Sequence, residues 1–216
     1  MRGFGRAAGR RLSWFVSRHA RVRSILSSIA AGSLILTLAG CASTSVQLSG
    51  ERPPDGLCQR AGQNVSVLVL WGTQWRPDQK DIPEREAAAE LGLSEYFAKS
   101  GCFSSVQVVR RVPMSALTFE TAREAAQSAN PVDTRVLTVT VHELGPVIKL
   151  LSSAALVEGG TEVVLGFQFF ELTAPGRTRE FAVHWTNGGP GVLKGIATLH
   201  LDMQAALTAS FGPSQR

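Results

Sequence analysis

The first forty residues of the chain have the pattern of an export signal, which removes them from any folded domain. They contain seven arginines and no acidic residue, and residues 25–40 form an almost wholly apolar or small-residue run. Sixteen helical residues reach about 24 Å, which is short of the ~30 Å hydrocarbon core of a bilayer. The pattern therefore predicts a cleaved signal peptide over residues 1–40, and the fold must be built from residue 41 onward.

The signal ends in Leu38-Ala39-Gly40-Cys41, which resembles the lipobox of bacterial lipoproteins. The resemblance implies a diacylglycerol on the Cys41 thiol, cleavage before Cys41, and acylation of the new amino terminus. Two or more acyl chains hold a protein stably at a bilayer, whereas one holds it only marginally. Ala42 stands where an aspartate would imply inner-membrane retention, so the resemblance favours the periplasmic side of the outer membrane. The alternative is an ordinary signal peptide in which Cys41 is incidental.

Removal of the leader changes the charge balance. Seven of the 22 basic residues lie in the leader, which leaves 15 basic against 17 acidic residues. The pI of about 9.6 therefore reflects the export signal. A slightly acidic mature chain gives no support for nucleic-acid binding, so we expect no nucleic-acid partner.

Cys58 and Cys102 remain once Cys41 is assigned to the lipid. An even pair of cysteines in an oxidising compartment is typical of a disulfide. Such a disulfide would stabilise the fold by about 4 kcal/mol in the chain-entropy model. Neither cysteine has a second Cys or His at ligand spacing, so we expect no metal site. Two free buried thiols are the alternative.

Residues 41–62 are small, polar and rich in Pro and Gly, a composition that predicts a lipidated flexible tether. The sixteen residues between Cys41 and Cys58 have a root-mean-square span of roughly 20–24 Å, which would keep the folded part close to the membrane. Residues 63–213 then predict a single periplasmic α/β domain, which is large enough for one core.

The first part of this domain alternates strand and helix. Residues 65–70 form a β-branched run that predicts a buried strand. A helix is predicted over residues 84–100, with an apolar stripe of Ala87, Leu91, Ser94 and Ala98 and with Leu93 and Phe97 beside it. A short helix is predicted over Phe119–Ala129. Alternation over residues 136–144 predicts a half-buried antiparallel strand.

The second part is richer in strand. Residues 147–157 and 163–172 are predicted as hairpin arms around a turn at Glu158-Gly159-Gly160-Thr161. A further strand carries Phe181, Val183 and Trp185 on one side, and the glycine-rich residues 187–191 are predicted as a loop after it. A last helix is predicted over residues 192–211, with a core-facing stripe of Leu193, Ile196, Ala197, Leu201 and Ala205.

These elements predict an α+β, α/β-like fold: a mixed, mainly antiparallel sheet of about five or six strands, two or three helices packed on one face, and a closing C-terminal helix. The pattern is carried by the strand at 65–70, the helix at 84–100, the strand at 136–144 with its Glu143-Leu144-Gly145 exit, and the strand at 167–172. It resembles the small domain of several periplasmic lipoproteins. These are the curli-secretion pore lipoprotein, the Pel polysaccharide-export lipoprotein, the N-terminal domain of the Tol-system propeller protein, and transporter-auxiliary lipoproteins.

Catalytic motifs are missing from the sequence. It contains no Gly-x-Ser-x-Gly elbow, no phosphate loop and no His-Glu-x-x-His. His142 and His184 fall on predicted strands that share a sheet face in one interpretation, and they would then form a metal or acid–base pair. The other interpretation is that both are polar residues on a solvated face. We expect no catalytic residue and no cofactor other than the covalent lipid.

The segment after the first predicted strand contains Trp71, Trp75 and Arg76. Loops at the carboxyl ends of strands in α/β folds commonly bind ligands, and Trp and Arg are enriched at binding hot spots. These residues are therefore candidate contacts for a partner or a ligand. In the alternative, Trp71 closes the core and Trp75 packs on the next helix.

Two functions fit these observations. The first is a non-enzymatic accessory lipoprotein of a cell-envelope transport or export machine, which binds an envelope protein or associates with itself. The second is a periplasmic lipoprotein that binds a lipid or a glycan between the sheet and the last helix, with Trp71 and Trp75 on the wall.

Overall fold

A computed structural model gives the fold of the domain. It describes residues 42–51, 66–111, 117–129, 135–151, 156–174 and 177–212, with the backbone alone for residues 149–151 and 156–157. The predicted signal peptide, Cys41 and Cys58 lie outside the described residues. Signal cleavage, lipid attachment and the disulfide between Cys58 and Cys102 therefore stay predictions.

Six strands form one sheet: β1 (Ser43–Gly50), β2 (Ser66–Thr73), β3 (Ser105–Arg110), β4 (Arg135–Leu151), β5 (Leu156–Glu171) and β6 (Thr178–Pro190). The helices are α1 (Ile82–Lys99), α2 (Phe119–Ala129) and α3 (Leu199–Phe211), the last preceded by a 3₁₀ turn at Ile196–Thr198. The strand order is β1-β6-β5-β4-β2-β3. β2 pairs in parallel with β3 and β4, and the other pairs are antiparallel. The predicted fold class is confirmed.

β2 lies in the parallel part of the sheet and is buried on both faces. Its Val67, Val69 and Trp71 belong to a core that includes residues of α1 and α3, whereas Leu68 and Leu70 pack with alanines of α2. We call the sheet face toward α1 and α3 the inner face, and the opposite one the outer face. Two helices thus share one face, as predicted, and α2 packs on the outer face near β2 and the start of β4.

The antiparallel part alternates buried and half-buried residues along β5 and β6. One set of alternating buried residues lies on the inner face, and the members of each strand share a side as predicted: they are Val163, Leu165, Phe167, Phe169, Phe181, Val183 and Trp185. Phe170 is buried on the outer face, against α2. The prediction of a half-buried antiparallel strand over residues 136–144 is correct for the pairing with β5 and wrong for the pairing with β2. β4 is antiparallel to β5 but parallel to β2, and its first residues are buried on both faces.

The hairpin between β4 and β5 reverses earlier in the chain than predicted. Leu151 pairs with Leu156, so the predicted turn at Glu158-Gly159-Gly160-Thr161 is wrong and these residues lie inside β5. Gly160 pairs with Val147 on β4 and with Gly188 on β6. A Cβ on Gly160 would lie 2.5 Å from the Asn187 carbonyl oxygen. The glycine therefore permits close approach of two strands and does not mark a turn. The predicted loop at 187–191 is wrong for the same reason, because β6 continues through Pro190.

The helix at 84–100 is confirmed as α1, but its predicted apolar stripe does not face the core. Leu91 is 45% exposed, and Ala87, Ser94 and Ala98 are also exposed, while Leu93 and Phe97 are buried as predicted. The core instead takes a face that includes Arg85, Ala89, Gly92 and Tyr96. The two faces carry similar small and apolar residues, so the sequence pattern does not separate them.

The last helix begins at Leu199, later than predicted, and of its predicted stripe only Ile196, in the preceding 3₁₀ turn, packs against the core. Leu193 precedes the helix and is 78% exposed, and Leu201 and Ala205 face solvent. Met203 and Leu207, both fully buried, contribute to the core in their place.

The predicted tether contains a strand. Residues Ser43–Gly50 form β1, which pairs antiparallel with β6 from Ser43 opposite Gly188 to Gly50 opposite Phe181. All eight residues are exposed. The prediction of an unstructured segment over residues 41–62 is therefore wrong for these eight residues, because β6 offers a free edge that their backbone groups satisfy.

Candidate functional site

The segment that comes after β2 lies beside the middle of β4. The Gln74 backbone N–H donates to the Val141 carbonyl oxygen over 2.9 Å, which extends the parallel pairing past the end of β2. The chain then runs through residues 75–81 into α1. It lies against the point where β4 has a bulge at His142, between Val141 and Glu143.

The Glu143 carboxylate holds this segment in place. Arg85 Nη1 lies 3.0 Å and Gln79 Nε2 3.1 Å from Glu143 Oε1, and Arg76 Nη2 lies 2.7 Å from Oε2. The Glu143 side chain is 9% exposed and the Arg85 side chain 8%. The charge of this buried carboxylate is compensated by one buried and one exposed arginine.

Glu143-Leu144-Gly145, predicted as the exit of a strand, lies inside β4, which continues to Leu151. This segment explains how Arg85 reaches the carboxylate. Arg85 Nη1 also donates to the Leu144 carbonyl oxygen over 2.7 Å, and its Nε donates to the Lys80 carbonyl oxygen. A Cβ on residue 145 would lie 1.6 Å from Arg85 Nη1. Glycine at this position therefore gives the guanidinium its space, so each of these three residues of β4 contributes to the same ion pair.

The three predicted contact residues have different surroundings. Trp71 is 1% exposed and belongs to the inner core, with the Arg110 guanidinium 5.3 Å from its ring centre. Its predicted role as a surface contact is wrong, and the alternative interpretation applies. Trp75 is half-buried and packs against the core, and Arg76 has a 64% exposed side chain. Trp75 and Arg76 therefore lie together at the surface, whereas Trp71 lies in the core.

The outer face carries both predicted histidines. His184 Nε2 lies 2.6 Å from Glu162 Oε1 on the neighbouring strand. Burial lowers the pKa of His142 below its ordinary value of 6.5, and a hydrogen bond with the Gln74 backbone acts in the opposite direction. The shared sheet face is as predicted. Within the described residues, no group of three His, Cys, Asp or Glu side chains could hold a metal ion.

An open depression of about 510 Å³ joins these two regions. We call it the rim depression, and it is lined by Gln74, Trp75, Arg76, His142, Glu143, Glu162 and Val164. It combines an aromatic ring, an exposed cation and two carboxylates, of which Glu143 is already neutralised. This chemistry suits recognition of a polar surface.

Sequence reasoning missed Gln79, Arg85 and Glu143 as site residues. Their signal in the sequence is weak: Glu143-Leu144-Gly145 resembles a strand exit, although β4 continues past it, and Arg85 stands among acidic residues at the start of α1. The partner of a buried arginine 58 residues away along the chain is not evident from local pattern.

The fold is thus a small α+β domain with one partly open sheet face and a polar rim. No protein-family model matches the chain, and no curated protein matches it. In the described part of the chain, no helix is long and apolar enough to cross a membrane.

Solved structures with a similar fold include a lipoprotein-like group. A PelC dodecamer from Paraburkholderia phytofirmans is 15% identical, over 80% of this chain and 100% of that one, with a TM-score of 0.41. A lipoprotein from Neisseria meningitidis is 14% identical, over 67% and 96%, with a TM-score of 0.30. A minor lipoprotein from Acinetobacter baumannii is 13% identical, over 68% and 82%, with a TM-score of 0.22. Two of these three proteins are lipoproteins by name, and at such TM-scores the likeness assigns no function.

Proposed function

We propose that the chain is a non-enzymatic accessory lipoprotein of a cell-envelope transport or export machine, held by its Cys41 lipid on the periplasmic side of the outer membrane. The Leu38-Ala39-Gly40-Cys41 ending of the export signal carries this proposal. Acyl chains on residue 41 would be attached two residues before β1, so they would tether the domain through an edge strand of the sheet. In this proposal the protein needs no cofactor other than the covalent lipid.

Mass spectrometry of the membrane-extracted protein tests the anchor. We expect an amino-terminal Cys41 that carries diacylglycerol and an N-acyl chain, and release of a Cys41→Ser variant from the membrane. An unmodified chain in the soluble fraction, or one that retains residues 1–40, contradicts the proposal.

The rim depression is the surface that we propose for the partner. Trp75 is ordered by the core beneath it, and Arg76 is held over the surface by its ion pair with Glu143, so both are pre-positioned. Hot spots combine such aromatic and arginine anchors. The partner is an envelope protein or a second copy of the chain.

Site-specific photocrosslinking in intact cells separates these outcomes. A benzophenone amino acid in place of Arg76 should give a discrete crosslinked band, and the mass of its components tells an envelope protein from a second copy. The matched control replaces Arg123, an exposed arginine on α2, and should give no such band. Absence of any protein crosslink from position 76 in membranes that contain the lipidated protein contradicts docking at the rim depression.

Glycan binding is the second candidate, but at a different place from the one expected. Trp71 belongs to the core between the sheet and α3 and cannot line a binding wall there. The rim depression still offers the Trp75 ring with polar side chains around it. Titration of tryptophan fluorescence with envelope glycans should then saturate in the wild type and be lost in Trp75→Leu. Absence of a saturable response in the wild-type protein contradicts glycan binding.

A further inference from the structure

One end of the sheet lies next to the proposed anchor. Along this end, Ser43 of β1 pairs with Gly188 of β6, Gly188 with Gly160 of β5, and Gly160 with Val147 of β4. We call this row the Ser43 end. Residue 41 precedes Ser43 by two residues, so its lipid would be attached at most about 7 Å from this row.

The two most exposed large apolar side chains of the described residues lie at the same end. Ile148 comes directly after Val147 on β4 and is 64% exposed. Leu193 is 78% exposed and comes after Val192, whose N–H donates to the Gly189 carbonyl oxygen and whose carbonyl oxygen lies against Gly159. Exposure of two large aliphatic side chains to water is unfavourable, and their position beside an anchor suggests what covers them.

The backbone also extends beyond this row. The β4–β5 ladder continues from the Val147–Gly160 pair to the Leu151–Leu156 pair. Four further residues of strand add about 13 Å, which is comparable with the depth of an interfacial layer. The Ser43 end thus projects on the side where the lipid would enter the bilayer, as three strands up to the Glu158–Pro190 pair and as two strands beyond it.

We propose that the Ser43 end rests in the headgroup region of the membrane that holds the Cys41 lipid, with Ile148 and Leu193 in contact with lipid. This inference rests on the proposed lipidation of Cys41. Glu158 and Glu162 line the adjacent outer face, so the contact is apolar and does not depend on anionic lipid. The domain therefore has one fixed orientation on the membrane.

That orientation brings the rim depression near the membrane. Glu143 lies four residues before Val147 on β4, a distance of about 13 Å along the strand. A partner that contacts Arg76 must then approach the bilayer closely, as the periplasmic end of a membrane protein does.

Depth measurement on the lipidated, mature protein in phosphatidylcholine vesicles tests the inference. A polarity-sensitive nitrobenzoxadiazole probe is placed on Ile148→Cys or Leu193→Cys. The matched control is Leu48→Cys, a 43% exposed side chain that lies five residues along β1 from Ser43 and so about 17 Å away. We expect blue-shifted emission and about twofold quenching by brominated lipid at positions 148 and 193, and little of either at position 48.

The different failures of this experiment are distinguishable. A protein without diacylglycerol on Cys41 does not sediment with vesicles, and this overturns the proposed function. A lipidated protein that sediments, but whose probes at 148 and 193 are as water-exposed as the probe at 48, overturns the inference alone. Blue-shifted probes that brominated lipid does not quench also overturn it, because protein then covers this end.

Discussion

The two halves of the sheet differ in how many of their faces are covered. β2 and the first residues of β4 lie between α1 and α3 on one side and α2 on the other, and they are buried on both faces. β5 and β6 are buried on the inner face and half-buried on the outer face. One sheet therefore serves two purposes. Its parallel half contributes stability through two covered faces, and its antiparallel half contributes an accessible outer face.

The largest effect is expected in the doubly covered half. Replacement of Trp71 by Ala should lower the free energy of unfolding by about 3–5 kcal/mol, because it leaves a large cavity in a packed core. The matched control Thr186→Ala, at a half-buried position of β6, should cost at most about 0.5 kcal/mol. Urea unfolding of the two variants measures both values. Equal losses would break the comparison between the two halves.

A smaller but still large effect is expected where the halves meet. Arg85→Met leaves the buried Glu143 carboxylate without its buried partner and should lower the free energy of unfolding by about 3 kcal/mol. Arg76→Met removes the exposed partner of the same carboxylate and should cost about 1 kcal/mol or less. Chemical denaturation of both variants measures the difference. If Arg76→Met proves the more destabilising, the exposed ion pair of Arg76, and not the buried ion pair of Arg85, holds the segment after β2 in place.

The smallest effect concerns pH on the outer face. Because burial lowers the pKa of His142, the folded state binds the imidazole proton less tightly than the unfolded state. This contribution to stability is fully present above the unfolded pKa of about 6.5 and is lost as the pH falls through it toward the folded value. A His142→Asn variant should therefore lose less stability than the wild type between pH 7.5 and 5.5. Parallel losses in both proteins would show that His142 is as solvated as an exposed histidine.

Sequence patterns predicted the elements where local chemistry and tertiary environment agree. The buried strand β2, the helix Phe119–Ala129 and the inward faces of β5 and β6 were predicted correctly, because a run of β-branched residues or a strict alternation fits one arrangement. The resemblance to small periplasmic lipoproteins also indicated the fold class.

The patterns failed where distant segments decide the outcome. The two glycines at 159 and 160 resemble a turn in the sequence. In the structure, backbone atoms of β6 and of Val192 occupy the space that side chains at these two positions would fill. Ser43–Gly50 has a tether's composition and becomes a strand because β6 is available to pair with it. The Arg85–Glu143 ion pair, which shapes the candidate site, joins residues 58 positions apart.

By itself, the sequence determined the mixed α+β architecture and the faces of its most regular strands, and it alone carries the pattern that predicts an export signal and the lipobox-like ending. These depend on composition and on short periodicities that are local to the chain. Only the tertiary structure decided which stripe of each amphipathic helix meets the core, that Trp71 is buried while Arg76 is exposed, and that β1 joins the sheet at its edge. Each of these outcomes depends on packing and backbone pairing between segments far apart in the chain, where several local patterns are nearly equal in energy and the long-range contacts choose among them.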